Sequence, residues 1–307
     1  MNEQRARLIL PFAIILALLA VSTASIFIKL AQQEAPSLVI AALRLTFATL
    51  ILAPLVLIRH SNELKELTRG ELVLAAAAGL FLSAHFATWI TSFEYTSIAN
   101  SVVLVTTGPL WVALLSPIFL KENLTRAAIV GLVFALLGGT IIGLAGACVF
   151  DNGIKCPAMA EVFQGHAMWG NFLALAGAWA ISGYLIIGRK LRVKISLIPY
   201  IFVVYGLAAT ALIIIMFITG NTPFGFKPIT YWWILLMAAF PQLIGHSTYN
   251  WALRYLPAAF VAVLSLGEPI GAAVLAFFIF QEVPTAATII GGVFILFGIY
   301  LASKGSR

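Results

Sequence analysis

Residues 109–122 read PLWVALLSPIFLKE, and 160 positions later residues 269–282 read PIGAAVLAFFIFQE. Both stretches begin with proline and end with glutamate, and both are apolar in between. The match extends outward without a gap, so that 16 of the 44 positions in 95–138 are identical to their partners in 255–298. Because proline, glutamate, tyrosine and glycine all agree at one offset, shared apolar composition does not explain the match. The chain therefore contains an internal repeat.

The composition around this repeat is that of a protein dissolved in lipid. The 307 residues are 62% hydrophobic and 9% charged, whereas soluble domains average about 45–50% apolar and about 25% charged residues. Backbone polar groups in hydrocarbon must pair internally, which leaves helices or closed barrels. The apolar runs are about 20 residues long without strand-like alternation, so we expect an all-α integral membrane protein. The formal charge of +7 is attributed to membrane-flanking loops, not to nucleic-acid binding.

Ten segments are long enough to cross a hydrocarbon layer of about 30 Å as helices. The predicted spans are 8–28, 36–58, 71–93, 98–120, 127–147, 167–188, 197–218, 230–253, 257–280 and 284–303. Residues 1–147 then form a first five-helix repeat and residues 167–307 a second, with a loop at 148–166. Because five is an odd number, the second copy enters the membrane inverted relative to the first.

Lys and Arg residues are distributed unevenly between alternate loops. Of the 18, one side holds 14, the other holds Lys29, Lys155 and Lys227, and Arg44 lies within a span. Basic residues collect in cytoplasmic loops, so both termini are predicted to be cytoplasmic and the 148–166 loop extracytoplasmic. In that loop Cys148 and Cys156 either form a disulfide, which an oxidising compartment permits, or remain free thiols.

Two inverted halves are typical of secondary transporters, which expose a midplane site to each side in turn. The paired stretches also resemble the "P…ALL…FLxE" signatures of the drug/metabolite transporter superfamily, EamA type, and Arg44 is similar to that family's frequent arginine in helix two. The resemblance implies a ten-helix inverted-repeat fold, usually in a bacterial inner membrane, often exporting amino acids, related metabolites or drugs. One departure is Gly108, because the second copy has Glu268 at that position.

Ionisable residues within spans are costly and therefore candidates for function. Glu268 is the proton-coupling candidate: it either binds and releases a proton during transport, contacts a substrate amine, or bonds a neighbouring helix as a neutral acid. Arg44 is a substrate-binding candidate that either attracts a carboxylate or bonds loop carbonyls with its head turned outward.

His85 in the third span and His246 in the eighth fall one position apart in the repeat alignment. Trp89 and Asn250 follow them at i+4 on the same helix faces. We expect these four side chains to line one cavity that binds a zwitterion with an apolar side chain. The alternative is that each forms a helix–helix hydrogen bond.

Aromatic and helix-breaking residues complete the candidate set. Trp111 and Trp169 are further cavity candidates that either gate the site or anchor the protein at the membrane interface. Four residues that loosen or break a helix occupy matching places in the two copies and are hinge candidates, with a fixed packing kink as the alternative. They are Gly108, Pro109, Gly267 and Pro269.

These features predict a secondary transporter that exports amino acids or related metabolites by alternating access around a midplane cavity. Drug or cationic-compound efflux is the alternative. An intramembrane enzyme is disfavoured because the sequence has no HExxH, GxSxG or P-loop motif and its only aspartate is Asp151. A passive channel or scaffold is disfavoured because two inverted halves do not build a repeated pore ring.

The expected partners are a small-molecule substrate and the lipid bilayer, with proton coupling an open alternative to facilitated diffusion. No cofactor or metal is expected, and no oligomeric state is favoured.

Overall fold

The computed structural model of the protein describes residues 3–96, 101, 104–147, 149–150, 154–155, 165–280, 283 and 286–305. These residues are helical apart from turns and a hairpin of two short antiparallel strands, β1 (Val149–Phe150) and β2 (Ile154–Lys155). The hairpin falls in the predicted 148–166 loop. Cys148 and Cys156 lie outside the described residues, so their disulfide stays a prediction.

The described first half of the chain contains seven helices. They are α1 (Glu3–Ser22), α2 (Ala24–Ala31), α3 (Ser37–Arg59), α4 (Ser61–Lys65), α5 (Arg69–Ser92), α6 (Gly108–Phe119) and α7 (Arg126–Ala147).

The described second half contains seven α-helices and one π-helical segment. They are α8 (Gly165–Arg192), α9 (Leu197–Ile218), α10 (Pro228–Met237), the π segment (Ala238–His246), α11 (Ser247–Ala252), α12 (Ala258–Ser265), α13 (Glu268–Phe280) and α14 (Ala286–Gly305).

These helices confirm the predicted fold class. Eight helical stretches of the described residues are long and apolar enough to cross a membrane. Two shorter apolar helices, Gly108–Phe119 and Arg126–Ile141, stand at the fourth and fifth predicted spans. Each of the ten predicted spans therefore contains helix. The clearest boundary error is at α8, which continues to Arg192, about one turn beyond the predicted end at residue 188.

The chain divides into two compact units that do not follow the boundary between the repeats. Unit 1 comprises Met1–Ser83 and Tyr184–Leu256, and unit 2 comprises Ala84–Gly183 and Pro257–Arg307. Each unit therefore contains helices from both copies of the repeat. The predicted domain boundaries describe the copies of the repeat instead, and they stay a prediction.

In unit 1, α3 packs along α9, its equivalent in the second copy, and a carboxylate ties a loop to the start of α10. Glu34 accepts hydrogen bonds from the Lys227 backbone N–H (3.1 Å) and the Thr230 hydroxyl (2.8 Å), and it pairs with the Lys227 ammonium. The hydrogen bond from that ammonium is the main reason that the pKa of Glu34 lies below its ordinary value of 4.5. A negative charge at a helix start is also favoured by the helix dipole.

A second carboxylate of unit 1 stabilises the start of α9 in the same manner. Glu63 accepts hydrogen bonds from the Ser196 N–H (2.7 Å) and the Ser196 hydroxyl (2.6 Å). Partial burial acts to raise the pKa of Glu63, but the bonds from Ser196, with a smaller contribution from His60, outweigh it and hold the pKa below 4.5. The short helix α4 is therefore fixed to the turn before α9.

In unit 2, α7 and α14 pack as an antiparallel pair of equivalent helices. A Cβ built at Gly131 would lie 2.5 Å from the Gly298 carbonyl oxygen, and one built at Gly138 would meet the Gly291 carbonyl. At the offset of 160, Gly131 is equivalent to Gly291 and Gly138 to Gly298, so each contact occurs twice, as in a two-fold interface. Small residues permit such close approach of membrane helices. This helix pair has the inverted geometry that the repeat predicts.

Candidate functional site

The fourth and ninth spans are interrupted at equivalent positions, both within unit 2. α6 begins at Gly108, and α13 begins 160 residues later at Glu268, after α12 has ended at Ser265. In both copies the turn is closed by the same two backbone hydrogen bonds, each from an N–H to the carbonyl three residues earlier. They run from Thr107 to Leu104 (3.2 Å), Leu110 to Thr107 (2.9 Å), Gly267 to Leu264 (3.1 Å) and Ile270 to Gly267 (3.1 Å).

A proline explains why each helix resumes where it does. Pro109 and Pro269 are the second residues of α6 and α13, where the missing N–H would have no partner within the helix in any case. Gly108 directly precedes Pro109 as the first residue of α6, and Gly267 lies in the turn two residues before Pro269. The four hinge candidates thus lie at helix breaks, and their movement as hinges stays a prediction.

Gly108 sets how closely the first break approaches α8. Its carbonyl accepts a hydrogen bond from the Ser182 hydroxyl (3.0 Å), and a Cβ at this position would lie 3.2 Å from Cγ2 of Ile181. A glutamate, the residue of the second copy, would have to displace Ile181. The departure of the first copy from the repeat pattern at this position therefore has a packing reason.

His85 and Trp89 of α5 form a buried pair against α8. His85 Nδ1 lies 2.9 Å from the Gly177 carbonyl oxygen; because a carbonyl only accepts, Nδ1 carries the hydrogen in this bond. The His85 and Trp89 rings stack with centroids 5.6 Å apart, and a Cβ at Gly177 would lie 3.2 Å from the Trp89 Cβ. Glycine at 177 thus permits the close approach of α5 and α8 that this pair requires.

Trp89 carries a buried donor that the described residues do not satisfy. Its side chain is 7% exposed, and within the described part of the chain its indole Nε1 has no hydrogen-bond partner. Burying such a donor is costly unless a partner is supplied. The Trp89 N–H is therefore suited to a hydrogen-bond acceptor that is not among the described residues.

Aromatic rings from α6 and α8 form a second feature of unit 2. Trp111 meets Trp179 edge-on at 5.6 Å, Trp179 meets Phe172 at 6.4 Å, and Phe172 stacks with Trp169 at 5.6 Å. Trp111 also donates from Nε1 to the Thr107 hydroxyl (3.2 Å) at the helix break. The predicted candidates Trp111 and Trp169 thus belong to one row of rings, in which Trp169, Phe172 and Trp179 are exposed.

Glu268 is the first residue of α13 and is half-buried. At this position the positive end of the helix dipole favours a carboxylate. In the sequence, Glu268 lies near the middle of a predicted span. In the structure, helix α13 begins at this residue. A role in proton coupling stays a prediction.

In unit 1, Arg44 of α3 is fully buried and directed at the π segment. Its Nε donates to Oε1 of Gln242 (2.9 Å), and its exposure is 0%. Gln242 follows Pro241 within the π segment of nine residues. π-Helical turns are rare and are frequent at functional sites. Arg44 is thus held within the protein, and its head is not turned outward.

Asn250 of α11 lies in a buried network that continues from Gln242. The Ser247 hydroxyl donates to the Gln242 carbonyl (3.2 Å) and lies 3.2 Å from the Tyr205 hydroxyl. Asn250 Nδ2 lies 3.4 Å from the Tyr205 hydroxyl and 2.7 Å from the His246 carbonyl, and it also donates to the Tyr184 hydroxyl. His246 ends the π segment, with its ring 6.4 Å from that of Tyr249.

The four residues expected to line one cavity divide between the units. His85 and Trp89 belong to unit 2, and His246 and Asn250 belong to unit 1. Within each unit the two members are neighbours on one helical stretch. The cavity that would join all four stays a prediction.

Sequence reasoning missed several residues of the buried network. Gln242, Tyr184 and Tyr205 lie within predicted spans. Their polar side chains could have indicated a buried hydrogen-bond network. Arg192 is one of the 14 basic residues that the sequence places on the cytoplasmic side, but the structure buries it to 1% exposure, with Nε donating to the Asn250 carbonyl (3.0 Å). A helix end does not reveal from sequence whether its arginine turns inward. Among the described residues, no group of three His, Cys, Asp or Glu side chains is placed to hold a metal.

The chain is similar to known membrane transporters. A model of the EamA-like transporter family matches residues 8–144 and, a second time, residues 168–304. The two matches correspond to the two copies of the repeat.

Individual relatives agree with this match. An uncharacterized transporter of Archaeoglobus fulgidus is 24% identical over 213 residues, which cover 69% of this chain and 69% of that protein. Solute carrier family 35 member G1 of Mus musculus is 24% identical over 282 residues, which cover 91% of this chain and 74% of that protein. A crystal structure with 18% identity superposes with a TM-score of 0.77 over 96% of both chains, which shows a shared fold.

Proposed function

The chain belongs to the EamA-like transporter family of the drug/metabolite transporter superfamily, and from this premise we propose that it exports an amino acid or a related metabolite as a secondary transporter. The observation that carries the choice of substrate is the buried Trp89 N–H beside His85. A carboxylate is a strong acceptor for such donors. The apolar and aromatic surroundings suit a substrate whose remaining part is apolar.

The row of aromatic rings supports the proposal that the remaining part of the substrate is apolar. Trp169, Phe172 and Trp179 are exposed, and Trp111 connects the row to the helix break at Gly108. Aromatic rings hold apolar and aromatic groups by stacking and edge contacts. An amino acid with an apolar side chain offers a carboxylate for Trp89 and an apolar group for these rings.

The proposed mechanism is alternating access. The support is the inverted repeat together with the matched breaks before Gly108 and Glu268, since matched discontinuities in two halves point to a transport site in other carriers. A helix that is already interrupted changes direction without breaking further hydrogen bonds. The broken helices are therefore the elements that we expect to move.

Glu268 is the proposed proton carrier. Its support is that, by the predicted spans, it is the one acidic residue deep within the membrane, and such residues are frequent members of proton relays. Transport by Glu268→Gln should lose its dependence on a pH gradient. A wild-type rate and pH profile in this variant would remove Glu268 from the mechanism.

The proposed location is the bacterial inner membrane, with both termini in the cytoplasm. The support is the uneven distribution of Lys and Arg over the loops. Cysteine accessibility labelling at residue 2 and in the 148–166 loop should place these positions on opposite faces. Labelling of both from the same face would exclude an inverted pair of five-helix halves.

The substrate proposal is tested by counterflow transport in proteoliposomes. We expect amino acids with apolar side chains to exchange, and Trp89→Phe to raise their KM about 10- to 100-fold, because a hydrogen bond to a charged group is worth about 1.5–3 kcal/mol. Trp232→Phe is the matched control, since Trp232 is 58% exposed. An unchanged KM in Trp89→Phe would contradict carboxylate recognition by this indole.

Efflux of a lipophilic cation is the second candidate. It is favoured by the exposed rings of Trp169 and Trp179 together with the carboxyl of Glu268, because cations bind aromatic faces. A cationic dye in the same transport panel distinguishes the two. Dye transport should survive Trp89→Phe, which retains an aromatic face, and should fail in Glu268→Gln.

A further inference from the structure

An apolar groove of about 420 Å³ opens within unit 1. Its walls come from four parts of the chain and include Ala13 of α1, Leu52 of α3, Ile198 of α9 and Leu243 of the π segment. The volume is within the range of about 300–1,000 Å³ that small-molecule sites occupy. None of the ten side chains that line it, all in the described part of the chain, carries a charge.

The groove lies at one end of the helices. Leu197, the first residue of α9, and Trp251, in the last turn of α11, both line it. Leu52 lies seven residues before Arg59, the last residue of α3, which is a depth of about 10 Å at 1.5 Å per residue. The groove therefore runs from the membrane interface at this end into the adjacent part of the hydrocarbon.

Exposed basic residues surround the same end. Arg59, Lys190, Lys194 and Arg254 are all exposed, and Lys194 and Arg254 lie three residues from Leu197 and Trp251 respectively. The ends of these helices are joined by bonds within unit 1, from Arg192 Nε to the Asn250 carbonyl (3.0 Å) and from Ser196 to Glu63. Two carboxylates lie near these cations: Glu63 is engaged by Ser196, and Glu71, which interacts with Lys194, is engaged by Thr68. The mouth of the groove therefore has an excess of positive charge.

We propose that the groove binds one acyl chain of an anionic phospholipid whose headgroup is held by Lys194 and Arg254. A shallow apolar groove fits an acyl chain that enters from the interface, and basic residues between helices bind anionic headgroups. A transmembrane helix of a partner would need an apolar face along the whole span, and this groove covers only its end. A zwitterionic metabolite would leave its charges against uncharged walls.

The Ser247 hydroxyl connects the groove to the buried network of unit 1. Ser247 lines the groove and also donates to the Gln242 carbonyl in the π segment. A bound acyl chain shields this hydrogen bond from competing partners. The lipid therefore stabilises the junction between the π segment and α11, and it acts as a structural ligand of unit 1.

The test is native mass spectrometry of the full chain in detergent. Dioleoyl-phosphatidylglycerol and dioleoyl-phosphatidylcholine are added in equal amounts, so that the acyl chains are identical and only the headgroup charge differs. We expect the wild type to retain phosphatidylglycerol at least tenfold better. Ala13→Trp and Ile198→Trp, which fill the groove from two different helices, should reduce this retention at least tenfold.

Two further sets of variants make the outcome decisive. Ile214→Trp is the matched control for the filled groove, because Ile214 lies on the same helix α9 but is 53% exposed, and it should retain the lipid. Lys194→Gln with Arg254→Gln leaves the walls intact and should make the two lipids bind equally, even if a tryptophan variant fails to fold. Equal retention of both lipids by the wild type, or unchanged retention in the filled or neutralised variants, would overturn the proposal.

Discussion

The glycines between α7 and α14 give opposite expectations for two neighbouring residues. Gly138→Ala places a Cβ within 2.8 Å of the Ile295 backbone nitrogen and still closer to the Gly291 carbonyl, whereas Gly139→Ala places one 3.9 Å from the Thr106 hydroxyl. Backbone atoms cannot rotate aside as a flexible side chain can. The first substitution must therefore separate the two helices, and the second fits without movement.

The size of the effect follows from the distances. At the equivalent contact of Gly131, the added Cβ would lie 2.5 Å from the Gly298 carbonyl oxygen, so ordinary contact at 3.4 Å requires a retreat of about 0.9 Å. Overpacking of this kind costs about 1–3 kcal/mol, while alanine gains up to about 1 kcal/mol over glycine in helix propensity. We expect Gly131→Ala and Gly138→Ala to destabilise unit 2 and Gly139→Ala to be neutral or stabilising.

The assay is thermal unfolding of the purified protein in one detergent. A change of 1 kcal/mol shifts the Tm by about 2–4 °C in chains of 150–250 residues, so Gly138→Ala should lower it by several degrees. Gly298→Ala, at the repeat equivalent of Gly138, meets the Gly131 carbonyl across the other contact and should lower it to a similar extent. If Gly138→Ala and Gly139→Ala unfold at the same temperature, the close two-fold packing of α7 and α14 is refuted.

Three further predictions concern the polar contacts. Gln242→Leu should lower the free energy of unfolding by about 1–3 kcal/mol because it leaves the buried Arg44 Nε without this acceptor, and Gln242→Glu, which retains an acceptor oxygen, should lower it less in the same melt. Glu34 has a pKa below its ordinary value of 4.5, so its stabilisation is present above pH 4.5 and is lost as the pH falls through the folded-state pKa. Tm measured from pH 7 to well below pH 4 should therefore fall more steeply below pH 4.5 for wild type than for Glu34→Gln. His85→Phe keeps a ring beside Trp89 but removes the 2.9 Å hydrogen bond to the Gly177 carbonyl. We expect the transport rate to fall at least tenfold while the Tm changes by only a few degrees. An unchanged transport rate would remove His85 from the proposed site.

The fold could be predicted because the bilayer imposes two strong and simple signals. Apolar runs of about 20 residues locate the helices, and the gapless offset between 109–122 and 269–282 reveals the repeat. The same alignment located both helix breaks, since Pro109 and Pro269 each remove an N–H at equivalent positions. These features are readable from the sequence itself, either within one segment or by comparison of two segments, which is why one chain without its structure is enough to find them.

The buried polar contacts could not be predicted in the same way. Arg192 looks like a loop charge because a long cation at a helix end usually reaches water, and only the fold reveals the Asn250 carbonyl that receives it. Arg44 and Gln242 are separated by 198 positions, and no periodicity relates them. The π segment was not predicted either, because Pro241 and Gln242 within Ala238–His246 mark an unusual stretch of the span but do not specify a π-helical turn. For Arg192 and Arg44, the buried contact depends on a partner that is distant in the sequence, so the residue alone does not reveal it.

Unit 2 combines one helix pair that is locked with another that is interrupted, and this contrast indicates where its flexibility lies. α7 and α14 interlock through backbone-to-backbone contacts at Gly131 and Gly138, each repeated by its equivalent, so neither helix can slide without opening two contacts together. α6 and α12, which pack on each other, lie at breaks where a short turn replaces the continuous helix. Bending at the breaks changes torsions within a turn, whereas bending the locked pair would separate packed backbones. For that reason the energy available from substrate binding is expected to act on the interrupted helices, while α7 and α14 remain the fixed frame of the unit.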